Sequence, residues 1–534
     1  PEPKNHVSSQ LFGQMFERDR TEPGYDAARI PGTGRMDPRV IQILQNWRVP
    51  VIRWPGGRVV RSTDWRDMID HAPGRDGPRP PFSAGSREPQ THEIGVDEFL
   101  RLCQELGAEP LLPVNFRFGL ERIMPLEEAA RLAAGLVAYC NAPLGARLPD
   151  GMPDWPGVRA RNGHPEPYGV RYFQICNEVW IYLARSLEQI GLGLGEATDE
   201  ERAAWYLKCW NTYVDAMKAV DPHIEIFTEW EHTDPAPEWA ETNRLIATDP
   251  SMRKADWFVR HRYVPWTIER IQRDGVEVSA REVPAEDLWY TWVAAPQTNP
   301  LTGQSEFGWQ EARQEGRRMA VTEWNWNGWW GMAKEDRPDF DDEMAKGLGA
   351  AGFLHALIRM GDTIHLACQS IAMGIRWANL GMQLDPTGEN DPVPTPRGDV
   401  TGFYSRLHGN VRLEAKLSGV PFYRQPYEMG WLEPQEKVAM LDVVATRSPD
   451  SLFIHLINRD CDRDHDAEID LTQLPVFPGR ATLHTMTRAP ARKNQPVHQF
   501  ANTPLVFSDN KLSVTLPRQS VSILEIPSGE TSQP

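Results

Sequence analysis

Up to about residue 410, short runs that are apolar throughout alternate with longer stretches carrying apolar residues at three- and four-residue steps. The short runs are rich in β-branched and aromatic residues and predict strands at 10–16, 50–54, 110–116, 172–177, 224–228, 257–263, 319–323 and 364–370. Helical patterns fall between them at 37–47, 96–106, 126–139, 199–220 and 341–360, the first opened by Asp37 and Pro38, a cap signal. Eight strands interleaved with helices in a segment of this size predict a (β/α)8 barrel, the TIM-barrel architecture of the α/β class. Runs without alternation fit parallel strands covered on both sides. Past Arg412 the texture changes to short alternating segments at 438–446, 452–458, 467–471, 481–487, 511–516 and 521–526, with turn residues between them. These predict a C-terminal antiparallel β-sandwich. The expected division is a catalytic barrel over 1–411 and a sandwich over 412–534. Two insertions rich in Pro and Gly, 70–91 and 141–167, either wall a cleft or decorate the surface.

Composition changes this picture little. The chain has 534 residues, 40% of them hydrophobic and 25% charged. That suits a globular protein with a sizeable core. No run approaches the roughly 18 apolar residues of a membrane span. The formal net charge is -17. It opposes nucleic acid and anionic lipid as partners and leaves a neutral substrate unhindered. The six cysteines form no C-x-x-C. They read as buried free thiols. Pro1 opens the chain without a charged-then-apolar leader, so compartment stays open, with a secreted or periplasmic setting favoured over a cytoplasmic one. Asp460, Asp462, Asp464 and Asp466 alternate as in a calcium loop. However, His465 stands where Gly is needed and no Glu closes the loop, so a solvated acidic hairpin is expected.

Candidate chemistry lies at two strand ends. Residues 172–178 read Tyr-Phe-Gln-Ile-Cys-Asn-Glu, and 319–326 read Met-Ala-Val-Thr-Glu-Trp-Asn-Trp. A carboxylate closing a buried strand is costly to desolvate. Two of them among aromatics, Glu178 and Glu323, suggest a carboxylate pair acting on a sugar; a barrel-mouth ion pair is the plainer alternative. There are twenty tryptophans, four of them at 324, 326, 329 and 330. They offer flat faces for sugar rings, although core packing explains most single cases.

Several phrases together resemble glycoside hydrolase family 51, whose best-known members are α-L-arabinofuranosidases. They are Leu-Phe-Gly-Gln-Met-Phe-Glu at 11–17, Val-Pro-Val-Ile-Arg-Trp-Pro-Gly-Gly at 49–57, Pro-Val-Asn at 113–115, Asn177-Glu178, and Glu323-Trp324-Asn325. The resemblance covers nearly the whole chain, including Asn458-Arg459 in the tail. It implies a retaining double displacement without metal or cofactor, Glu178 as acid/base and Glu323 as nucleophile. By position it makes Glu17, Arg53, Asn177, Tyr263 and Gln369 substrate-binding, and Trp324 joins them on the aromatic wall. Asn115 would give structural support, and His261 would be a site or structural residue. Burial and nearby negative charge are expected to raise the Glu178 pKa.

Two departures bear on the substrate. Arg58 stands where many members place a cysteine after Trp-Pro-Gly-Gly, and we expect it to shift preference toward a substituted or acidic sugar unless it pairs with a nearby Asp. Thr322 precedes Glu323 where relatives often have an acid. The expected function is exo-acting α-L-arabinofuranosidase on plant polysaccharides or oligosaccharides. An endo-β-glycanase on the same barrel and an inactive carbohydrate-binding protein are the alternatives. The expected partner is a carbohydrate substrate, and homo-oligomer formation is left open.

Overall fold

The computed structural model describes residues 3–18, 24–82, 91–229, 237–265, 267–294, 316, 318–326, 328–430, 432–474, 477, 479–490 and 492–528. Eight parallel strands close into a barrel. They are β1 (Gly13–Met15), β2 (Val51–Arg53), β3 (Glu109–Val114), β4 (Tyr172–Ile175), β5 (Glu225–Glu229), β6 (Trp257–Tyr263), β7 (Met319–Asn325) and β8 (Ile364–Ser370). Each pairs with its sequence neighbours, and β8 pairs with β1. The (β/α)8 expectation is met. Alternation turns one set of side chains inward. Met15, Val51, Leu111, Tyr172, Phe227, Trp257, Val259, Ala320, Leu366 and Cys368 fill the barrel.

The helices form the outer layer: α1 (Pro38–Trp47), α2 (Val96–Leu106), α3 (Leu126–Asn141), α4 (Val179–Glu188), α5 (Asp199–Val220), α6 (Ala285–Ala294), α7 (Glu343–Arg359) and α8 (Pro396–Arg406). Asp37 caps α1 by accepting from the Arg39 amide at 2.8 Å, which satisfies a backbone donor that the helix itself leaves open. Thr198 and Glu201 form a reciprocal cap on α5, each side chain taking the other's amide. The strand expected at 10–16 begins instead as a 3-10 turn, Ser9–Phe12, because the Ser8 hydroxyl accepts from the Gln10 amide. Among the described residues, no helix is long and apolar enough to cross a membrane.

The C-terminal region is built on β9 (Val411–Leu413), β10 (Leu441–Arg447), β11 (Ser451–Asn458), β12 (His465–Asp470), β13 (Arg480–Arg488), β14 (His498–Val506), β15 (Lys511–Leu516) and β16 (Ser520–Pro527). One sheet runs β9-β10-β11-β16-β13-β14, with the N-terminal strand Pro3–His6 added beyond β9. The antiparallel pair β12 and β15 lies opposite, and Leu452, Leu456, Leu483, Leu512, Val514 and Leu524 pack between. A split at residue 411 is therefore too simple. Pro3 pairs with Leu413 and His6 with Val411, so the first residues belong to the C-terminal sheet. The strand expected at 438–446 also divides, its start joining a small sheet through Gln435–Ala439.

Barrel and sheet meet over a buried ionic cluster. Asp442 of β10 accepts from the guanidinium of Arg359 on α7, and its other oxygen lies 3.1 Å from Arg459 Nη2 and 3.2 Å from His355 Nδ1. The Tyr404 hydroxyl lies 2.8 Å from His355 Nε2. Burial pushes the His355 pKa down to about 4, with Arg359 and Arg459 adding to the shift against Asp442. A buried imidazole next to guanidinium groups pays twice for its charge.

Candidate active site

The inward alternation of each strand runs out at the carboxyl ends, where barrel enzymes place their sites. Glu17 follows β1, Arg53 closes β2, Asn177 and Glu178 follow β4, Glu229 closes β5, His261 and Tyr263 lie on β6, and Glu323 lies on β7. Two local devices aim the carboxylates. On β7, Val321 pairs with Arg260 and Glu323 with His261, which leaves Thr322 as an extra residue. An extra residue of this kind re-aims the side chains around it. Here it brings the Thr322 hydroxyl to 3.0 Å from His261 Nε2 and Glu323 Oε1 to 3.6 Å from His261 Nδ1. After β4, Cys176 and Glu178 adopt left-handed backbone at φ 61 and 48. Such conformations are unfavourable for side-chain-bearing residues and need local support. Glu229 supplies it, since its carboxylate accepts from the backbone N–H of Glu178 and, at 2.6 Å, from that of Val179.

Arg53 is fully buried beneath the site. Its guanidinium donates to Glu323 Oε1 at 2.7 Å, to Asn177 Oδ1 at 2.6 Å and to Gln174 Oε1 at 3.0 Å. Tyr263 donates to the other Glu323 oxygen at 2.7 Å. Glu323 is thus held from both sides. Glu178 Oε1 lies 3.2 Å from His261 Nδ1, and Asn177 Nδ2 donates to Glu178 Oε2 at 3.3 Å. One carboxylate oxygen from each of Glu178 and Glu323 and a nitrogen of His261 lie within 4.8 Å of one another. Three such groups could ligate a cation, but Glu323 Oε1 already accepts from the Arg53 guanidinium at 2.7 Å.

Proton placement follows from this crowding. Burial works against charge on His261, yet Glu323, Glu178 and Glu229 outweigh it and hold the imidazole above its ordinary range. Burial likewise pushes Glu178 up, but the bond and charge of His261, with Arg61 and Arg58 behind, take it below the usual carboxylate value. Burial lifts Glu229 to about 7 against the pull of His261.

A cleft of about 670 Å³ opens over these groups, lined by Glu17, Arg58, Glu178, Glu323 and tryptophans that include Trp292, Trp326, Trp329 and Trp377. Trp330 joins them and is 56% exposed. Glycine leaves room in the floor. A Cβ on Gly57 would stand 3.0 Å from Glu323 Oε1 and 3.1 Å from Glu17 Oε2, and the Gly57 amide donates to Glu17 at 2.5 Å.

Comparison with known proteins finds arabinofuranosidases. Residues 43–267 match the sequence model of a family described as Alpha-L-arabinofuranosidase 1 domain. Alpha-L-arabinofuranosidase C of Emericella nidulans is 31% identical over 236 residues, 42% of this chain and 38% of that protein. The intracellular exo-alpha-(1->5)-L-arabinofuranosidase of Acetivibrio thermocellus is 26% identical over 247 residues, 42% of each. The match thus spans about two fifths of each curated relative. The thermostable GH51 alpha-L-arabinofuranosidase of Thermotoga petrophila superposes over 98% of both chains with a TM-score of 0.67 at 21% identity, a likeness of fold. The segment 43–267 thus matches an arabinofuranosidase domain family, and the fold is that of GH51 arabinofuranosidases.

Of the residues singled out in the sequence, Glu17, Arg53, Arg58, Asn177, Glu178, Tyr263 and Glu323 converge on the cleft or directly beneath it. Two do not. Trp324 points to the opposite face of β7 and stacks on Phe353 of α7, ring centroids 4.8 Å apart. Gln369 faces outward from β8, where its amide is bound to Gln14, Thr401 and the Arg397 carbonyl. Alternation explains both, since each neighbours an inward residue. The expected rise in the Glu178 pKa is also overturned, because His261 lies against it. Asn115 ties the loop after β2 to the start of a helical turn, bonding the Thr63 carbonyl and the Phe118 amide. Among the described residues, neither insertion lines the cleft; 83–90 lie outside them. The acidic hairpin is used internally, with Asp460 accepting from the Asp462 and Arg463 amides. All six cysteines are free, five buried and Cys461 half-buried. The sequence reading missed Glu229. The criterion that found Glu178 and Glu323, an acid closing a buried strand, applies to it as well, but the predicted strand stopped at Thr228.

Proposed function

We propose that this chain is a retaining α-L-arabinofuranosidase that removes terminal arabinofuranose from plant polysaccharides or oligosaccharides, with Glu178 as acid/base and Glu323 as nucleophile. The reading rests first on carboxylate spacing. Oxygens of the two groups lie within 4.8 Å. Retaining enzymes hold their carboxyl groups about 5–5.5 Å apart, inverting ones roughly 6.5–9.5 Å to admit a water. The sugar is taken from the names of the relatives that match the barrel.

In this mechanism Arg53 and Tyr263 each donate to one Glu323 oxygen and hold the carboxyl group toward the anomeric carbon. His261 holds a proton 3.2 Å from Glu178. Passing it to Glu178 arms the general acid, which protonates the leaving oxygen as Glu323 attacks. The ester formed removes the negative charge of Glu323. Glu178, now a carboxylate, takes a proton from water, and the hydroxide equivalent displaces Glu323 with net retention. Asn177, fixed by Arg53, offers its amide to a sugar hydroxyl beside the reacting carbon.

The test is release of nitrophenol from 4-nitrophenyl α-L-arabinofuranoside, with product stereochemistry followed by NMR. Glu323→Gln is expected to lose activity by about 10⁴-fold or more, the scale seen on removing a nucleophile. A first-formed sugar of inverted configuration, or an unaltered rate in that variant, sinks the assignment. Viscosity loss of a xylan or glucan solution without nitrophenol release would transfer it to the endo reading.

A further inference from the structure

Beside the cleft lies a second recess, of about 320 Å³, lined by Arg58, Arg61, Arg117, Arg185, Glu121 and Tyr182 among others. Its size is at the small end of ligand pockets, roughly 300–1,000 Å³. It shares Arg58 and Ile181 with the cleft, so the two are continuous over that ridge.

Its charge runs against that of the chain, which carries 74 acids and 57 Lys and Arg. With acids in excess, most buried or half-buried arginines elsewhere are paired: Arg53 with Glu323, Arg79 with Glu98, Arg397 with Glu343. In the recess Arg117 has an acid partner, Glu121 at 2.8 Å, and Arg18 in its wall is paired with Asp26. Among the described residues, Arg58, Arg61 and Arg185 have none. Arg61 is nevertheless held in place, its guanidinium 4.4 Å from the ring centre of Tyr182. A guanidinium fixed on an aromatic face presents its fork of donors to a planar carboxylate.

Position tells which part of a substrate would meet these groups. Arg58 and Arg61 lie on the turn that follows Gly57, and Arg185 lies on α4, the helix that starts immediately after Glu178. A general acid protonates the leaving oxygen, so the groups beyond Glu178 face the leaving portion of the substrate. A large polyanion is disfavoured by the net charge of -17. A single anion feels mainly the nearby arginines, because screening limits range to about 8 Å at physiological salt.

We infer that the recess is an anion subsite for the leaving portion of the substrate and receives the carboxylate of a uronic acid. The inference rests on the glycosidase reading above and narrows its substrate class to arabinosylated oligosaccharides that bear an acidic sugar.

Two arms test it. The first compares kcat/KM for an arabinofuranosylated xylooligosaccharide with and without a neighbouring glucuronic acid. The acidic substrate is expected to be favoured about fivefold at low salt, the upper end for one solvent-open charge pair, and the advantage shrinks in concentrated NaCl. In Arg185→Glu the acid-to-neutral ratio falls to about one or below, while Arg185→Lys keeps part of it. The second arm titrates a glucuronic-acid-bearing xylotriose, which holds no arabinose, into the full chain by calorimetry. It reads the subsite whether or not the chain cleaves an arabinofuranoside, so the two readings fail separately. Binding of the acidic trisaccharide, absent for neutral xylotriose and lost in Arg185→Glu, supports the subsite. Equal rates together with no acidic binding overturn it, as does a preference that survives Arg185→Glu. Inorganic phosphate that binds where the acidic trisaccharide does not also overturns it, by making the recess a site for another anion.

Discussion

The barrel mouth and the barrel–sheet interface bury the same residue types and settle their protons in opposite ways. At the mouth, Glu178, Glu229 and Glu323 crowd one histidine and one arginine, so His261 is driven toward its charged form and Glu229 is lifted to about 7. At the interface a single carboxylate, Asp442, faces Arg359, Arg459 and His355. Burial opposes its ionisation, but the cations hold it far below the usual range, and His355 stays neutral down to about 4. Surplus acid makes a place where a proton can move; surplus cation makes a closed joint. The cleft opens over the first cluster, and among the described residues none of the second lines it.

The largest expected effect breaks the mouth alone. Glu178→Ala should lower kcat on natural oligosaccharides by about 10²–10⁴-fold, the usual contribution of general acid–base catalysis. The loss should be smaller in the first step for a nitrophenyl glycoside, whose leaving group needs little protonation. Equal losses on both substrates would remove Glu178 from the acid role. Next is the interface. Asp442→Asn strands two guanidinium groups and should destabilise the fold by about 3–5 kcal/mol, with little change in activity per folded molecule, as read by urea unfolding. An unchanged midpoint would mean that the cluster is not closed.

The smallest effect separates the two regions by sign. The folded-state pKa of His355 is depressed to about 4. Between its ordinary value, about 6.5, and that lower one, the unfolded chain takes up a proton that buried His355 refuses. This group therefore makes stability fall as pH falls, on the order of 3 kcal/mol across the window. Glu229 works oppositely. From its ordinary 4.5 up to about 7 the folded chain keeps a proton the unfolded chain has lost. Its contribution accordingly falls as pH rises. His355→Gln should flatten the acid limb of a melting-temperature profile, and Glu229→Gln the limb above pH 4.5. Both variants acting on one limb would collapse the distinction.

Much of the fold was legible because local pattern and tertiary environment agree. The segments 257–263, 364–370, 96–106 and 199–220 are found with the expected bounds, each strand mostly apolar and each helix burying an apolar face. Elements set by pairing alone were hidden. Pro3–His6 is polar and joins strands some 400 positions away. β14 is mostly exposed and contains Pro504, which demotes it in any propensity reading. At the site, residue identity was readable but direction was not. Trp324 adjoins Glu323 in sequence, yet a strand sends neighbours to opposite faces. The upward shift of the His261 pKa could not be foreseen either, since it depends on three acids at the ends of three strands meeting one ring.

The clasp between Pro3–His6 and β9 sets an order of events during synthesis. At about 5–20 residues per second, the first strand leaves the ribosome roughly 20–80 s before its partner does. The barrel can close in that interval while the leading segment waits unpaired. Sealing the C-terminal sheet then fastens this early segment to a late one, so the sheet is completed only after the barrel residues between them have been made.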